Sequence, residues 1–287
     1  MPPPETNDVA LQSNGSSQHH SGQDLFRLND RTIIVTGGLG SLMVSLAQTL
    51  LESGADVFCT DLPEAPPDET WLPLENVAQR TGHQLRYASC DVTNEESVSR
   101  AFEIAELDAQ YPVRGLVTCA GIFGRSAATD YPVDKFRRIM DINVTGTFLF
   151  ATAAARIMQR RMVPGSIVML ASMSGTNVNK GVDTCAYNAS KSAVLQLARN
   201  LAAEWGNDGQ HPPIRVNTYS PGYIMTLMTI PTFEALPELK TLWPEGIMLG
   251  RMSTVEDHRS AIIFLLSDGS SYMTASDLRA DAGHCAW

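Results

Sequence analysis

Residues 32–43 read Thr-Ile-Ile-Val-Thr-Gly-Gly-Leu-Gly-Ser-Leu-Met. Apolar, β-branched residues run straight into a cluster of three glycines, and a stretch with helical apolar spacing follows at once over 42–53. This order predicts a buried strand, a tight turn and a helix in succession. Glycines in such a turn let backbone N–H groups approach an anion, and the amino end of the helix attracts it. Asp61, 24 residues after Gly37, closes a second apolar run. A carboxylate there suits the ribose hydroxyls of a dinucleotide, so the turn with Asp61 is a candidate pyrophosphate and ribose cradle.

The same alternation continues along the chain. Runs at 32–36, 56–60, 85–90, 115–119, 166–171 and 214–219 read as buried strands, and 42–53, 94–110, 133–161, 185–205 and 254–266 read as helices. Strand and helix in turn call for a doubly wound parallel sheet of about seven strands with helices on both faces. Right-handed crossovers then put ligands at the carboxyl ends of the strands. No repeat or second composition regime interrupts this, so one α/β domain is expected over 25–287, behind a polar, disordered tail over 1–24 in which His19 and His20 are solvated filler.

Composition bounds the partners. A 44% hydrophobic and 18% charged chain of 287 residues can bury a sizeable core. Its net charge of −10 comes with no basic run, which argues against nucleic acid or an anionic membrane. Five cysteines without metal spacing read as reduced thiols and no metal site, and no apolar stretch has transmembrane length. The tail lacks Lys and Arg, so neither a secretory signal nor a transit peptide fits, and the expected location is cytoplasmic.

Tyr187-Asn188-Ala189-Ser190-Lys191 sets a phenol and an ammonium one helical turn apart, on the same face. A phenol titrates near about 10, and a cation beside it favours the phenolate. The pair therefore reads as a proton donor with its own pKa adjuster. Ser172, in Ala171-Ser172-Met173-Ser174-Gly175, follows another strand end, with Ser174 the weaker choice for the same task.

On these residues the chain resembles the short-chain dehydrogenase/reductase family from about residue 30 onward. Thr36 and Gly37 match its first glycine motif, whereas Ser41 and Met43 stand where two further glycines are usual and Gly40 falls one residue early. Asp91-Val92 matches the adenine-side pair, Ala120-Gly121 the end of the motif after the fourth strand, Asn143 a helix asparagine, and Pro221-Gly222 with Thr226 the motif after the sixth strand. The wording around Ser172 and Tyr187 is closest to fungal polyol dehydrogenases and secondary-metabolite ketoreductases.

The resemblance implies a Rossmann-type fold and hydride exchange between nicotinamide and a ketone or secondary alcohol. Ser172 would hold the substrate oxygen, Tyr187 exchange its proton, Lys191 lower the phenol pKa and bind the nicotinamide ribose, and Asn143 fix a water that reprotonates Lys191. Thr36, Gly37, Gly40, Ser41, Leu42, Asp61, Asp91, Val92, Ala120, Gly121, Tyr187, Lys191, Pro221, Gly222 and Thr226 would contact the cofactor. Asp61 repels a 2′-phosphate, and neither Leu39 nor Leu62 offers a compensating cation, so NAD(H) is favoured with NADP(H) possible. The serine's added Cβ weakens pyrophosphate binding while its hydroxyl compensates in part, and Cys119 removes an amide that would tie two strands together.

Residues 222–250 fall where relatives cover the substrate. Tyr223, Met225, Leu227, Met228, Phe233, Leu236, Leu242, Trp243 and Met248 make this lid more apolar than a small polyol requires, which favours a bulky apolar secondary-metabolite ketone. The bland reading is that they pack the lid's own core or a subunit interface. Phe123 and Arg125 are candidate neighbours of the same pocket. Two further readings stand beside the ketoreductase: a sugar-alcohol dehydrogenase, and a degenerate relative guiding a non-redox step. Small residues on the helices at 133–161 and 185–205 suggest a homodimer or homotetramer.

Overall fold

The computed structural model describes residues 21–227 and 229–287. Seven strands form one parallel sheet in the order β3-β2-β1-β4-β5-β6-β7, as the alternation requires. They are β1 Thr32–Thr36, β2 Asp56–Asp61, β3 Leu85–Ser89, β4 Val113–Thr118, β5 Gly165–Leu170, β6 Ile214–Pro221 and β7 Asp277–Ala280. The order reverses between β1 and β4, which creates the crevice where such sheets bind ligands.

Alternation within β1 divides the core. Ile33 and Val35 face one layer with α1 (Ser41–Glu52), α2 (Asp68–Thr81) and the helix Glu256–Leu266. Ile34 faces the other with α3 (Glu95–Asp108) and the helices Thr147–Arg160 and Cys185–Trp205. The central strands β1, β2, β4, β5 and β6 are largely buried on both faces, so they read as apolar runs and not as alternating ones.

Most expected elements are present, and the departures have local causes. The helix expected over 133–161 is three pieces: α4 (Val133–Met140), a π-turn (Asp141–Gly146) and α5 (Thr147–Arg160). At Gly146 a Cβ would lie 2.8 Å from Val92, so glycine is what lets the π-turn pass this close to the strand-end loop. The helix over Cys185–Trp205, α6, matches its expected bounds. α2 went unread because Pro73 lies inside it; Leu74 and Ala78, buried in the core layer that also holds α1, hold the helix despite the missing donor. β7 is only four residues long and partly exposed, too short for a periodic signal.

Of the expected tail, residues 1–20 lie outside the described residues, as does Met228; residues 21–24 lead into a 3-10 turn at Asp24–Phe26. The lid carries two short helices, α7 (Ile230–Ala235) and α8 (Leu239–Glu245). It is tied to the sheet by a buried chain: the Tyr219 hydroxyl and His258 Nδ1 are 2.5 Å apart, His258 Nε2 and Ser253 Oγ 2.7 Å, and Ser253 Oγ donates to Tyr223 O at 3.0 Å. His258 begins the last helix, α9 (Glu256–Leu266), in its first turn. Among the described residues no helix is long and apolar enough to cross a membrane.

Thr36 closes the crevice from below. Its buried hydroxyl accepts hydrogen bonds from Cys119 N and Ala120 N, both at 3.0 Å, and so ties the end of β1 to the end of β4. The tie that Cys119 was expected to forfeit is thus made from the neighbouring strand. Thr36→Val keeps the shape and strands two N–H groups; urea unfolding is expected to show a loss of about 1–3 kcal/mol.

Candidate active site

A cavity of about 520 Å³ runs along the carboxyl ends of the strands. One end is built by the turn after β1. Gly37 has φ +65°, and a Cβ there would lie 2.9 Å from Ala120 N, so only glycine fits without moving backbone. Gly40 caps α1 without a side-chain hydrogen bond, leaving the leading N–H groups of the helix free of a side-chain partner beside a cavity that Ser41, Leu42 and Met43 line. Met43, in place of a usual glycine, is fully buried in the core.

Asp61 stands at the end of β2 on the cavity wall. Its Oδ2 accepts from Leu39 N at 3.0 Å and Oδ1 from Leu62 N at 2.8 Å, which fixes the carboxylate toward the turn. Asp91 and Val92 line the next part of the wall. Asp91 accepts from Thr93 N and Thr93 Oγ1, and these bonds hold its carboxyl below the usual range. Arg138 also faces this stretch, from α4; an exposed arginine in a helix gave no sequence signal of it. A close-approach glycine turn, an open helix amino end and a fixed carboxylate fit a dinucleotide.

At the other end the expected trio converges. Ser172 lies two residues past β5 and caps a 3-10 turn, its Oγ accepting from Ser174 N at 3.1 Å. The Tyr187 phenol, from the first turn of α6, lies close enough to the Ser172 hydroxyl to be pulled down in pKa by it, and both residues line the cavity. Lys191 follows one turn later, its Nζ donating to Leu170 O at 2.7 Å and lying 5.7 Å from the centre of the Tyr187 ring. Phe123 packs edge-on against that ring, with centres 5.2 Å apart.

Burial sets the charges here. It pushes the Tyr187 phenol up to about 12, against the nearby Ser172 hydroxyl, which pulls it down. It pulls Lys191 down to about 8. The spacing predicts a phenol lowered by the ammonium; here burial is the largest influence on both groups and moves each toward its neutral form.

Asn143 sits in the π-turn and is buried. Its Oδ1 accepts from Ile122 N at 2.9 Å, and Nδ2 donates to Ile122 O at 3.0 Å and to Ser190 Oγ at 2.9 Å. Both N–H bonds are spent within the chain, so the side chain pins the loop after β4. Ala120, Gly121, Pro221, Gly222 and Thr226 all line the cavity, whereas Thr36 acts from beneath it through the bonds to β4. Arg125 is exposed and takes no part in the cavity wall.

The lid divides its apolar residues. Tyr223, Phe233 and Trp243 pack with Met173, Val182, Leu239 and Ile247 into a small core, with Leu236 and Leu242 against it. Met225, Leu227 and Met248 are exposed. Tyr223 and Trp243 nevertheless also face the cavity, as does Asn179 from the loop after β5, a residue without any distinguishing sequence pattern.

A family model described as enoyl-(acyl carrier protein) reductase matches residues 38–284. The short-chain dehydrogenase/reductase notP′ of Aspergillus versicolor is 50% identical over 93% of this chain and 91% of its own. A ribulose-forming D-arabinitol 2-dehydrogenase of Candida tropicalis is 34% identical, covering 91% of this chain and 95% of its own. The crystal structure of the NADPH-dependent 3-quinuclidinone reductase of Rhodotorula rubra superimposes with a TM-score of 0.85 at 30% identity, over 96% of this chain and 99% of that one. With the doubly wound sheet, the glycine turn and the Ser172–Tyr187–Lys191 cluster in one crevice, the chain belongs to the short-chain dehydrogenase/reductase family of oxidoreductases.

Proposed function

We propose that this protein interconverts a bulky, largely apolar ketone and its secondary alcohol, using NAD(H), in secondary metabolism. The observation that carries the reading is that Ser172, Tyr187 and Lys191 line one cavity together with the glycine turn and Asp61. The half-identical notP′ and the apolar part of the lid support the substrate class. Likeness to D-arabinitol 2-dehydrogenase supports the second reading, a sugar-alcohol dehydrogenase, which millimolar turnover of arabinitol or mannitol would reveal.

The turn from Gly37 to Leu42 and the carboxylate of Asp61 would hold the dinucleotide, which supplies or accepts hydride when bound. Ser172 Oγ orients the substrate oxygen beside the phenol. Tyr187 gives that oxygen its proton in reduction and takes it back in oxidation. Lys191 places a positive charge behind the phenol, which favours the phenolate left after proton transfer. Asn143 acts as a positioning residue, since it pins Ile122 next to Phe123, and Phe123 packs on the Tyr187 ring. Five free cysteines fit a reducing cytoplasm.

Tyr187→Phe removes the proton donor, and steady-state kinetics should show kcat lowered by about 10²–10⁴-fold; an active variant would instead favour the non-redox reading. Lys191 is protonated below about 8 and neutral above it. For ketone reduction, kcat/KM is therefore expected to be level below about pH 8 and to decline above, since this ratio reports the free enzyme.

Asp61 lies where a 2′-phosphate would have to share space with a fixed carboxylate. Fluorescence titration is expected to give tighter binding of NADH than of NADPH, and a preference for NADPH would end the NAD(H) reading. A second groove, of about 740 Å³, lies between α5 and α6 away from the chemistry, with Phe148 exposed along it. Self-association through this face is expected, and gel filtration at the monomer mass would dispose of it.

A further inference from the structure

Three polar atoms beside the catalytic end of the cavity are buried and lack a hydrogen-bond partner among the described residues: Asn179 Oδ1, Tyr223 Oη and Trp243 Nε1. Tyr223 is 7% and Trp243 4% exposed, and all three residues line the cavity that holds Ser172 and Tyr187. The rings of Tyr223 and Trp243 are stacked, 3.9 Å between centres and 12° from parallel, so their polar edges are held by packing and cannot swing out to water. The Asn179 carboxamide is near enough to the Tyr223 hydroxyl to pull its pKa down slightly, yet the two make no geometric hydrogen bond.

Leaving one such group unpaired is costly, and here two stand in a largely apolar lid and the third on the loop after β5, all on residues of one cavity. Their chemistry is complementary: the indole only donates, the carboxamide oxygen only accepts, and the phenol does either. A single oxygen carrying a hydrogen can satisfy a donor and an acceptor at once. The Tyr223 ring is further fixed by His284, whose ring packs edge-on at 5.1 Å, while His284 Nδ1 lies 2.9 Å from Gly246 O. The site is therefore rigid before any ligand arrives, as a specificity pocket must be.

We infer that Asn179, Tyr223 and Trp243 form a polar subsite for a second function of the substrate, a hydroxyl or a group of like donor-and-acceptor character, remote from the carbonyl that is reduced. This rests on the oxidoreductase reading and narrows it: the substrate is an apolar ketone with one polar group at its far side. Binding that group satisfies all three atoms, whereas a purely hydrocarbon ketone leaves them stranded. Sites of this kind discriminate strongly against analogues that lack the group.

The test has two arms. In the first, the thermal unfolding of Tyr223→Phe is followed without ligand. A phenol waiting for substrate is dispensable to the fold, so the melting temperature is expected to equal or exceed that of the wild type, by about 2–4 °C. Any fall beyond measurement error would show the hydroxyl to be satisfied within the protein or by a structural water, and would overturn the inference. In the second, 6-hydroxy-1-tetralone and 1-tetralone are compared as substrates with NADH. The wild type should favour the hydroxylated ketone by at least about tenfold in kcat/KM, and Tyr223→Phe should bring the ratio toward one. A ratio that is near one in the wild type, or unaffected by the substitution, would overturn the inference. If the wild type reduced neither ketone, the reductase reading would be in question, and the melting arm, which uses no ketone, would still decide the polar subsite.

Discussion

The Thr36 hydroxyl, accepting from Cys119 N and Ala120 N, joins two strand ends that must stay together for the crevice to exist. β1 and β4 are neighbours in the sheet, but the chain leaves them in opposite directions, toward α1 on one side and the loop of Gly121 to Phe123 on the other. The closeness that this bond enforces explains why Gly37 cannot carry a Cβ. It also brings the cradle for a dinucleotide and the loop behind Tyr187 into a single cavity. One short polar side chain thus links the architecture of the sheet to the geometry of its site.

From that junction the catalytic end is fixed by interactions that keep water out. Asn143 spends its carboxamide on Ile122 and Ser190, Ile122 precedes Phe123, and Phe123 lies edge-on against Tyr187. Lys191 is held to Leu170 O at the end of β5, so the sheet itself sets the depth of the ammonium. The consequence is electrostatic. Burial displaces both the phenol and the ammonium toward their neutral forms.

The lid follows a different logic. Its aromatic and aliphatic residues are largely spent on a small core of their own, anchored to β6 through Tyr219, His258 and Ser253. Such packing makes the lid a firm wall. Tyr223 and Trp243 also carry buried polar atoms without a partner among the described residues, which an apolar residue count over 222–250 does not convey.

The sequence by itself determined the doubly wound sheet, because strands buried on both faces leave uninterrupted apolar runs, and amphipathic helices leave spaced ones. It also determined the pairing of Tyr187 with Lys191, since one helical turn separates them whatever surrounds the helix. Local patterns like these carry their geometry with them. α2 escaped because tertiary packing of Leu74 and Ala78 overrides the proline inside it, and the π-turn holding Asn143 lies within a stretch whose apolar spacing is that of one helix. Only the tertiary structure decided that burial raises the phenol and that Asn179 faces the same cavity as Tyr223 and Trp243. Both depend on the distance and solvent access between segments far apart in the chain, and no local spacing encodes those.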